Sequence, residues 1–143
     1  MLFSHPIAVK YHANIAPLEQ VKKSDWIDLR SAENVELKQG EFQYISLGVS
    51  IKLPKGYEAI IAPRSSTFEK YGIIQVNGIG IIDNSYAGED DIWYFPALAI
   101  KDTLIPMFSR ICQFRIQRKQ PRLSFYLGAL RKKNRGGLGS TGI

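Results

Sequence analysis

The sequence has one cysteine, Cys112, so no intrachain disulfide can form, and the chain fits a reducing cytoplasm. It has no apolar run of transmembrane length. Its first residues, MLFSHPIAVKYHAN, carry neither a leading positive charge nor a long apolar core, so they are not expected to act as a secretory signal. No membrane partner is expected. The sequence has no internal repeat and no interdomain linker, so its 143 residues read as one domain, long enough to bury a core. Helix signals are scarce. Acidic residues are outnumbered, leaving a net charge of +6, which suits an anionic partner: nucleic acid, nucleotide or membrane surface. The charge is uneven: from Arg115 to Arg135 there are eight Lys and Arg and no acid, which by itself describes a solvated edge.

What is present is a strand pattern. In YISLGVSIKL, the residues Ile45, Leu47, Val49, Ile51 and Leu53 alternate, which puts them on one sheet face. A PKG turn follows at 54–56, then YEAIIA, so 44–62 reads as a hairpin. NVELKQ, IIQV, GIGIID, DIWYFPALAI and RICQFRIQ are further strand candidates, and Pro96 predicts an edge, a bulge or a break in its strand. One short helix is expected in RSSTFEKYG, with Ser66 and Glu69 as a capping box and Gly72 at the C-terminal cap. The fold class is therefore all-β, a barrel or sandwich with one small helix. From about 128 the chain is Gly-rich and basic with little to bury, and reads as a mobile arm.

Several constellations could carry chemistry. Ser65 and Ser66 stand where the short helix begins, a place of free N–H groups suited to an anion, with Arg64 beside them. Taken alone, this is also a plain cap with a surface arginine. In NGIGIIDNSYAGE, Asn77 offers both a donor and an acceptor to a base edge, and Asp83 sits one strand-length away on a tight bend with Tyr86, able to activate a water. Taken alone, it is a β-hairpin with a solvated Asp. In DWIDLRS, Asp25 and Asp28 face opposite ways, so they do not chelate one metal together; one carboxylate suits a hydrated Mg²⁺. In SRICQF, Ile111, Gln113 and Arg115 fall on one face and Cys112 and Phe114 on the other, Cys112 as a small core residue. Finally, RGGLGSTG, Arg135 to Gly142, resembles a phosphate loop: four glycines admit an anion, Arg135 can fork onto phosphate oxygens, and Ser140 and Thr141 add hydroxyls. It lacks the Lys and the following helix of a Walker A loop.

In this order, PRSS, then Asn77 to Gly88, RICQF and a terminal RGGLGSTG, the pieces resemble the trimeric dUTPases, in the variant of Gram-positive bacteria and their phages. The family's motifs span the chain from Asp28 to Gly142; IIDNSYAG and the terminal motif are specific, whereas DWIDLR departs from the usual Asp-Ala-Gly opening. The resemblance implies a jelly-roll-like β-barrel over 1–127 and a flexible C-terminal arm over 128–143. It implies a homotrimer with active sites shared at the interfaces, the arm closing over a neighbouring subunit's site. It implies hydrolysis of dUTP to dUMP and pyrophosphate with Mg²⁺, which limits uracil in DNA and supplies dUMP for dTMP synthesis. By position, Asp83 matches the base that deprotonates the water attacking the α-phosphorus. Asn77, with hairpin backbone at Gly80 and Ile82, matches the uracil reader, in a hairpin too narrow for a 5-methyl group. Tyr86 matches the ring under the deoxyribose that leaves no room for a 2′-OH. Arg64, Ser65, Ser66 and Gln113 match phosphate contacts, and Asp28 matches the acid that holds Mg²⁺ through water. Arg135, Gly137, Leu138, Ser140 and Thr141 match the arm. The family arm usually carries Phe, stacked on uracil, where this chain has Leu138; Trp93 or Phe95 is the expected replacement.

A dCTP deaminase shares the implied fold and an Arg-Ser-Ser motif but needs a Glu on the strand after the hairpin, and no acid lies between Ile92 and Ile100. A nucleic-acid-binding β-domain would interleave aromatics with the basic run, which only Phe125 and Tyr126 do, so no nucleic acid is expected as partner. Some phage dUTPases also bind repressor proteins; no motif here marks or excludes such a surface.

Overall fold

The computed structural model describes residues 4–137. Leu138, Ser140 and Thr141 lie outside the described residues. The strands are β1 (Ala8–Tyr11), β2 (Ile27–Arg30), β3 (Val35–Leu37), β4 (Phe42–Ser46), β5 (Val49–Lys52), β6 (Tyr57–Pro63), β7 (Ile73–Gln75), β8 (Gly80–Ile82), β9 (Tyr94–Ala99), β10 (Thr103–Ile105) and β11 (Arg110–Arg118), with one helix, α1 (Thr67–Tyr71). All pairings are antiparallel. One sheet runs β2-β11-β6-β8 and another β4-β9-β7, with the pairs β1-β5 and β10-β3 beside them. The ladders do not close into one continuous barrel; the arrangement is the expected all-β, jelly-roll-like one.

Alternation from 45 to 53 is realised: Ile45, Leu47, Val49, Ile51 and Leu53 are all buried, in one core with Leu29, Ile61, Phe95 and Phe114. Trp93 packs edge-on against Phe114 with ring centroids 5.1 Å apart, tying the two larger sheets together. Gly48, at φ +69°, separates β4 from β5 in a conformation that L side chains rarely adopt.

The hairpin expected over 44–62 is absent. Its turn forms, with the Tyr57 N–H donating to the Pro54 carbonyl at 3.1 Å. Its arms diverge because β6 has no free edge: β11 occupies one side and β8 the other. Asn84 reinforces the split, its amide nitrogen lying 2.7 Å from the Pro54 carbonyl and 3.3 Å from those of Leu53 and Tyr57. Pro96 lies within β9, the central strand of its sheet, and acts as a one-sided break. Its carbonyl accepts from Val76 N–H at 3.1 Å, but it has no N–H to return, and β7 ends at Gln75.

Helix α1 is not held by a capping box. Ser66 is already helical, at φ −94°, and its side chain makes no cap. Buried Thr67 organises the turn instead: its hydroxyl accepts from Arg64 N–H and donates to the Ile111 carbonyl, both at 2.8 Å. Gly72 closes the other end at φ +62°, as expected. A bulge between Arg110 and Cys112 breaks the alternation of β11, so Ile111 and Cys112 are both buried rather than on opposite faces. The packed body ends near Lys119, whose N–H reaches the Gly56 carbonyl at 3.0 Å. Residues 120–136 form neither strand nor helix and are exposed. Phe125 and Tyr126, each 91% exposed, are not packed against other described residues.

Candidate active site

The site residues fall into two groups. The first stands where β6 runs out at Pro63. Asp28 on β2 is the register partner of Gln113 on β11, and β11 carries the Cys112–Pro63 pairing to β6. Gln113 Nε2 donates to the Pro63 carbonyl at 3.0 Å, which fixes its amide. Asp28 is held by two arginines, Arg64 Nε at 3.1 Å from one oxygen and Arg110 Nε at 3.7 Å from the other. Asp25 turns away to Arg115, 2.9 Å distant, so the two acids do not act together, as their spacing predicts. The hydroxyls of Ser65 and Ser66 have no hydrogen-bond partner among the described residues. This end therefore presents Arg64, Arg110, two free hydroxyls and the Gln113 amide around one carboxylate, a donor-rich surface suited to phosphate. The loop and the five-residue helix reach it through Thr67, not through a cap.

Mg²⁺ fits this group in one way only. The described residues contain no cluster of three or more His, Cys, Asp or Glu able to cage a metal. Asp28 is a single hard oxygen donor whose two oxygens already meet guanidinium groups, leaving lone pairs for metal-bound water. Mg²⁺ keeps several waters and relies on substrate phosphates, and one such carboxylate matches that habit.

The second group lies on the far side of β8. Gly78 N–H bonds the Gln75 carbonyl at 3.0 Å and Ile79 N–H the Asn77 carbonyl at 2.8 Å, making a tight turn from β7 to β8. This turn is not a paired hairpin: β7 ladders with β9, and β8 with β6. Asn77 stands exposed on it, its amide without a hydrogen bond among the described residues. Gly80 is buried beneath; a Cβ there would meet Gln75 Nε2 and Ile61 Cβ at 3.3 Å and Asn77 Nδ2 at 3.7 Å, so the lack of a side chain lets these groups converge. Ile82 ends β8, and Asp83 follows.

Asp83 is exposed on a bend closed by Tyr86 N–H donating to its carbonyl at 3.0 Å. Its Oδ2 accepts from the Ser85 N–H at 2.8 Å and from the Ser85 hydroxyl, and Oδ1 makes no comparable side-chain hydrogen bond among the described residues. The Ser85 hydroxyl, then the Ser85 N–H, hold this carboxyl below its usual range. It is thus ionised at neutral pH, an acceptor with one oxygen restrained by Ser85. Tyr86 donates its hydroxyl to the Ile92 carbonyl at 2.7 Å, which locks the ring, and partial burial, then Asp91, raise its phenol above the usual value.

Two expectations are corrected. Trp93 and Phe95 cannot cover a base: both are fully buried, at 0% exposure. The period of two that turns Trp93 inward turns Phe95 inward as well, and Tyr94 is the ring left outside, at 42%. One buried polar side chain beside this turn was not singled out from the sequence. Gln75 is only 4% exposed, and its Oε1 has no hydrogen-bond partner among the described residues. A polar residue at an inward position, two before Asn77, was the available signal.

The two groups do not meet within one chain. Ile82 pairs with Ala59, near the start of β6, whereas Arg64 to Ser66 follow its last residue, Pro63. At about 3.3 Å per residue, this separates Asp83 from the arginine and serines by roughly 15–20 Å along the strand. Arg135 and Gly137 lie on the exposed terminal stretch, beyond both groups.

The family model for dUTPase matches residues 13–142. An SPbeta prophage-derived deoxyuridine 5′-triphosphate nucleotidohydrolase of Bacillus subtilis is 49% identical over 126 residues, 87% of this chain and 89% of that protein. A solved Staphylococcus bacteriophage 80alpha dUTPase with dUpNHpp has the same fold, with a TM-score of 0.78 at 18% identity, over 98% of this chain and 100% of the other. The dUTPase of phage phi11 of S. aureus, solved with a structural Mg(II) ion, superposes with a TM-score of 0.76 at 16% identity, over 90% of this chain and 100% of that one.

Proposed function

This chain belongs to the dUTPase family, and from that premise we propose that it hydrolyses dUTP to dUMP and pyrophosphate at sites shared between copies in a homotrimer. The observation that carries the reading is the Asp83 bend: a carboxylate ionised at neutral pH, steadied through Oδ2 by Ser85. Oδ1 takes the proton of a water as its oxygen bonds to the α-phosphorus, and the bond from that phosphorus to the pyrophosphate oxygen breaks. A positioned base of this kind contributes ~10²–10⁴-fold.

The remaining residues bind and orient. Asn77 and the backbone at Gly80 and Ile82 read the uracil edge. The Tyr86 ring, locked by Ile92, lies under the deoxyribose. Arg64, Ser65, Ser66 and Gln113 hold phosphate oxygens, and Arg135, Gly137, Ser140 and Thr141 close over the distal phosphates from the arm. Chemistry at phosphorus depends mainly on such positioning and charge stabilisation. Mg²⁺, when bound, neutralises triphosphate charge, and Asp28 would hold it through water.

Distance supports the sharing. The separation of Asp83 from the Arg64–Ser66 group along β6 supports a site that draws its base and its phosphate donors from different copies. Rotational symmetry then repeats the site.

Pyrophosphate release with Mg²⁺ from dUTP, dTTP, dCTP and UTP tests the reaction. Release from dUTP alone is expected; no release from any of them by folded protein overturns it. Sedimentation equilibrium at a trimer mass is expected, and an active monomer would overturn the sharing.

A further inference from the structure

We infer that the outer face of the sheet β4-β9-β7 is where copies of this chain meet, with Tyr44, Tyr94 and Ile74 at the centre of the contact. The inference rests on the proposed sharing of the site between copies and names the surface that achieves it.

An antiparallel sheet with one face in water alternates apolar inward and polar outward. This sheet is apolar on both faces. Inward, Ile45, Phe95, Ala97 and Ile73 belong to the core. Outward, the register sets Leu98 between Phe42 and Ile74, Pro96 beside Tyr44, and Tyr94 beside Ser46. Val76 follows β7 with its N–H on the Pro96 carbonyl. None of these outward residues is charged. Tyr44 is 63% exposed, Val76 49%, Phe42 45%, and Tyr94 and Ile74 42% each. The rings are already set against one another, Phe42 edge-on to Tyr44 with centroids 4.9 Å apart and Tyr44 edge-on to Tyr94 at 6.4 Å. Three half-exposed rings present roughly 300 Å² of surface. With Ile74 and Val76 beside them, the patch reaches the size that marks a contact site on a soluble chain. It suits the apolar centre of a standard interface, which takes ~800 Å² from each partner.

Two observations select a second copy as the occupant. The first is continuity with the proposed site. Val76 directly precedes Asn77, and Tyr94 lies two residues after Ile92, whose carbonyl holds the Tyr86 hydroxyl. The face thus borders the base and sugar contacts, which stand far along β6 from the Arg64–Ser66 group of their own chain. A copy seated here can bring its own phosphate donors to that border, whereas a foreign protein would leave the site incomplete. The second is charge. At +6 the copies repel one another, and an uncharged face lets them approach without burying an unpaired cation.

The test puts a cation into the face, by Tyr44→Lys and Ile74→Lys. Both side chains are exposed in the single chain, so its fold should be kept, while at a contact repeated by symmetry every copy would bury an unpaired ammonium. Sedimentation equilibrium is read together with circular dichroism and pyrophosphate release from dUTP. Wild type is expected at the trimer mass. Both Lys variants should fall to the mass of one chain with an unchanged spectrum and lose turnover, and Tyr44→Phe should keep mass and turnover. Folded Lys variants that stay at the wild-type mass would overturn the inference and leave the shared site standing. A wild type that is an active single chain would overturn the sharing, and the inference with it. Should the Lys variants not fold, nitration of wild type decides. Tyr44 should react far more slowly than free N-acetyltyrosinamide, as a ring covered by a neighbour does, and a rate near that of the free amide would overturn the inference.

Discussion

Substituting three glycines by alanine separates backbone strain from crowding. Gly48, Gly56 and Gly72 all have positive φ, at +69°, +85° and +62°. An alanine held in that region costs about 1–2 kcal/mol. Loss of glycine's freedom in the unfolded chain returns ~0.4–1 kcal/mol of that. Around Gly56 a Cβ meets nothing within 4 Å, so Gly56→Ala isolates the backbone cost, about 1 kcal/mol net. At Gly72 the nearest atoms to the Cβ belong to Lys101, 2.6 Å from Cγ and Cε, and that flexible side chain can swing away. At Gly48 it collides with Ile15 Cδ1 and stands 2.9 Å from the Ala32 Cβ, which is fixed to its backbone. Crowding of that kind adds ~1–3 kcal/mol, giving about 2–4 kcal/mol for Gly48→Ala. At roughly 3 °C per kcal/mol for a domain of this size, Tm should fall by ~3 °C for Gly56→Ala and Gly72→Ala and ~6–12 °C for Gly48→Ala. Thermal unfolding at one fixed protein concentration measures it, since assembly makes Tm concentration-dependent. A Gly48→Ala loss no larger than that of Gly56→Ala would refute the packing around Ile15 and Ala32. Leu47 and Val49 flank Gly48 and line the cavity next to Asp28 and Arg110, so the variant should also raise the KM for dUTP.

Asp83→Asn should lower kcat by ~10²–10⁴-fold while the imido analogue of dUTP binds as tightly or more tightly, because one negative charge near the phosphates is gone. Unchanged turnover would remove Asp83 from the base role. Ser85→Ala takes away the main cause of the lowered Asp83 pKa, so that pKa rises toward the ordinary carboxylate value. The base works ionised, so the acidic limb of kcat/KM should move to higher pH; a limb that stays put in a pH–rate profile would contradict it. Asp28→Asn should raise the Mg²⁺ concentration for half-maximal rate by about tenfold, measured by titrating metal into EDTA-treated protein. Ending the chain after Lys119 should leave the unfolding transition in place, since 120–136 are exposed along their whole length, and abolish turnover.

The core was legible because burial along 45–53 follows a local period of two. Strand pairing was not, because the fate of the 54–56 turn is settled by which edges of β6 are already taken, a non-local fact. The capping box failed for the same reason: Thr67 finds a better partner on β11, Ile111, 44 positions away. Asn77, Asp83 and Tyr86 could be singled out because their chemistry is carried by residue type within one short stretch. Trp93 and Phe95 misled because a cluster of rings offers stacking surface in sequence, whereas alternation turns both inward. Gln75 could be found only by noticing that a polar residue occupies an inward position beside Ile73.

The placement of Asp83 and Arg64 toward opposite ends of β6 bears on how defects combine. Under the proposed sharing, a chain crippled at one end still offers an intact other end to its neighbours. Two separately inactive proteins, one lacking the base and one lacking the phosphate arginine, should therefore regain some turnover when unfolded together and allowed to reassemble. In a cell carrying both alleles, loss at these two positions would complement rather than accumulate, and a single copy of either would dilute, not poison, the mixed population.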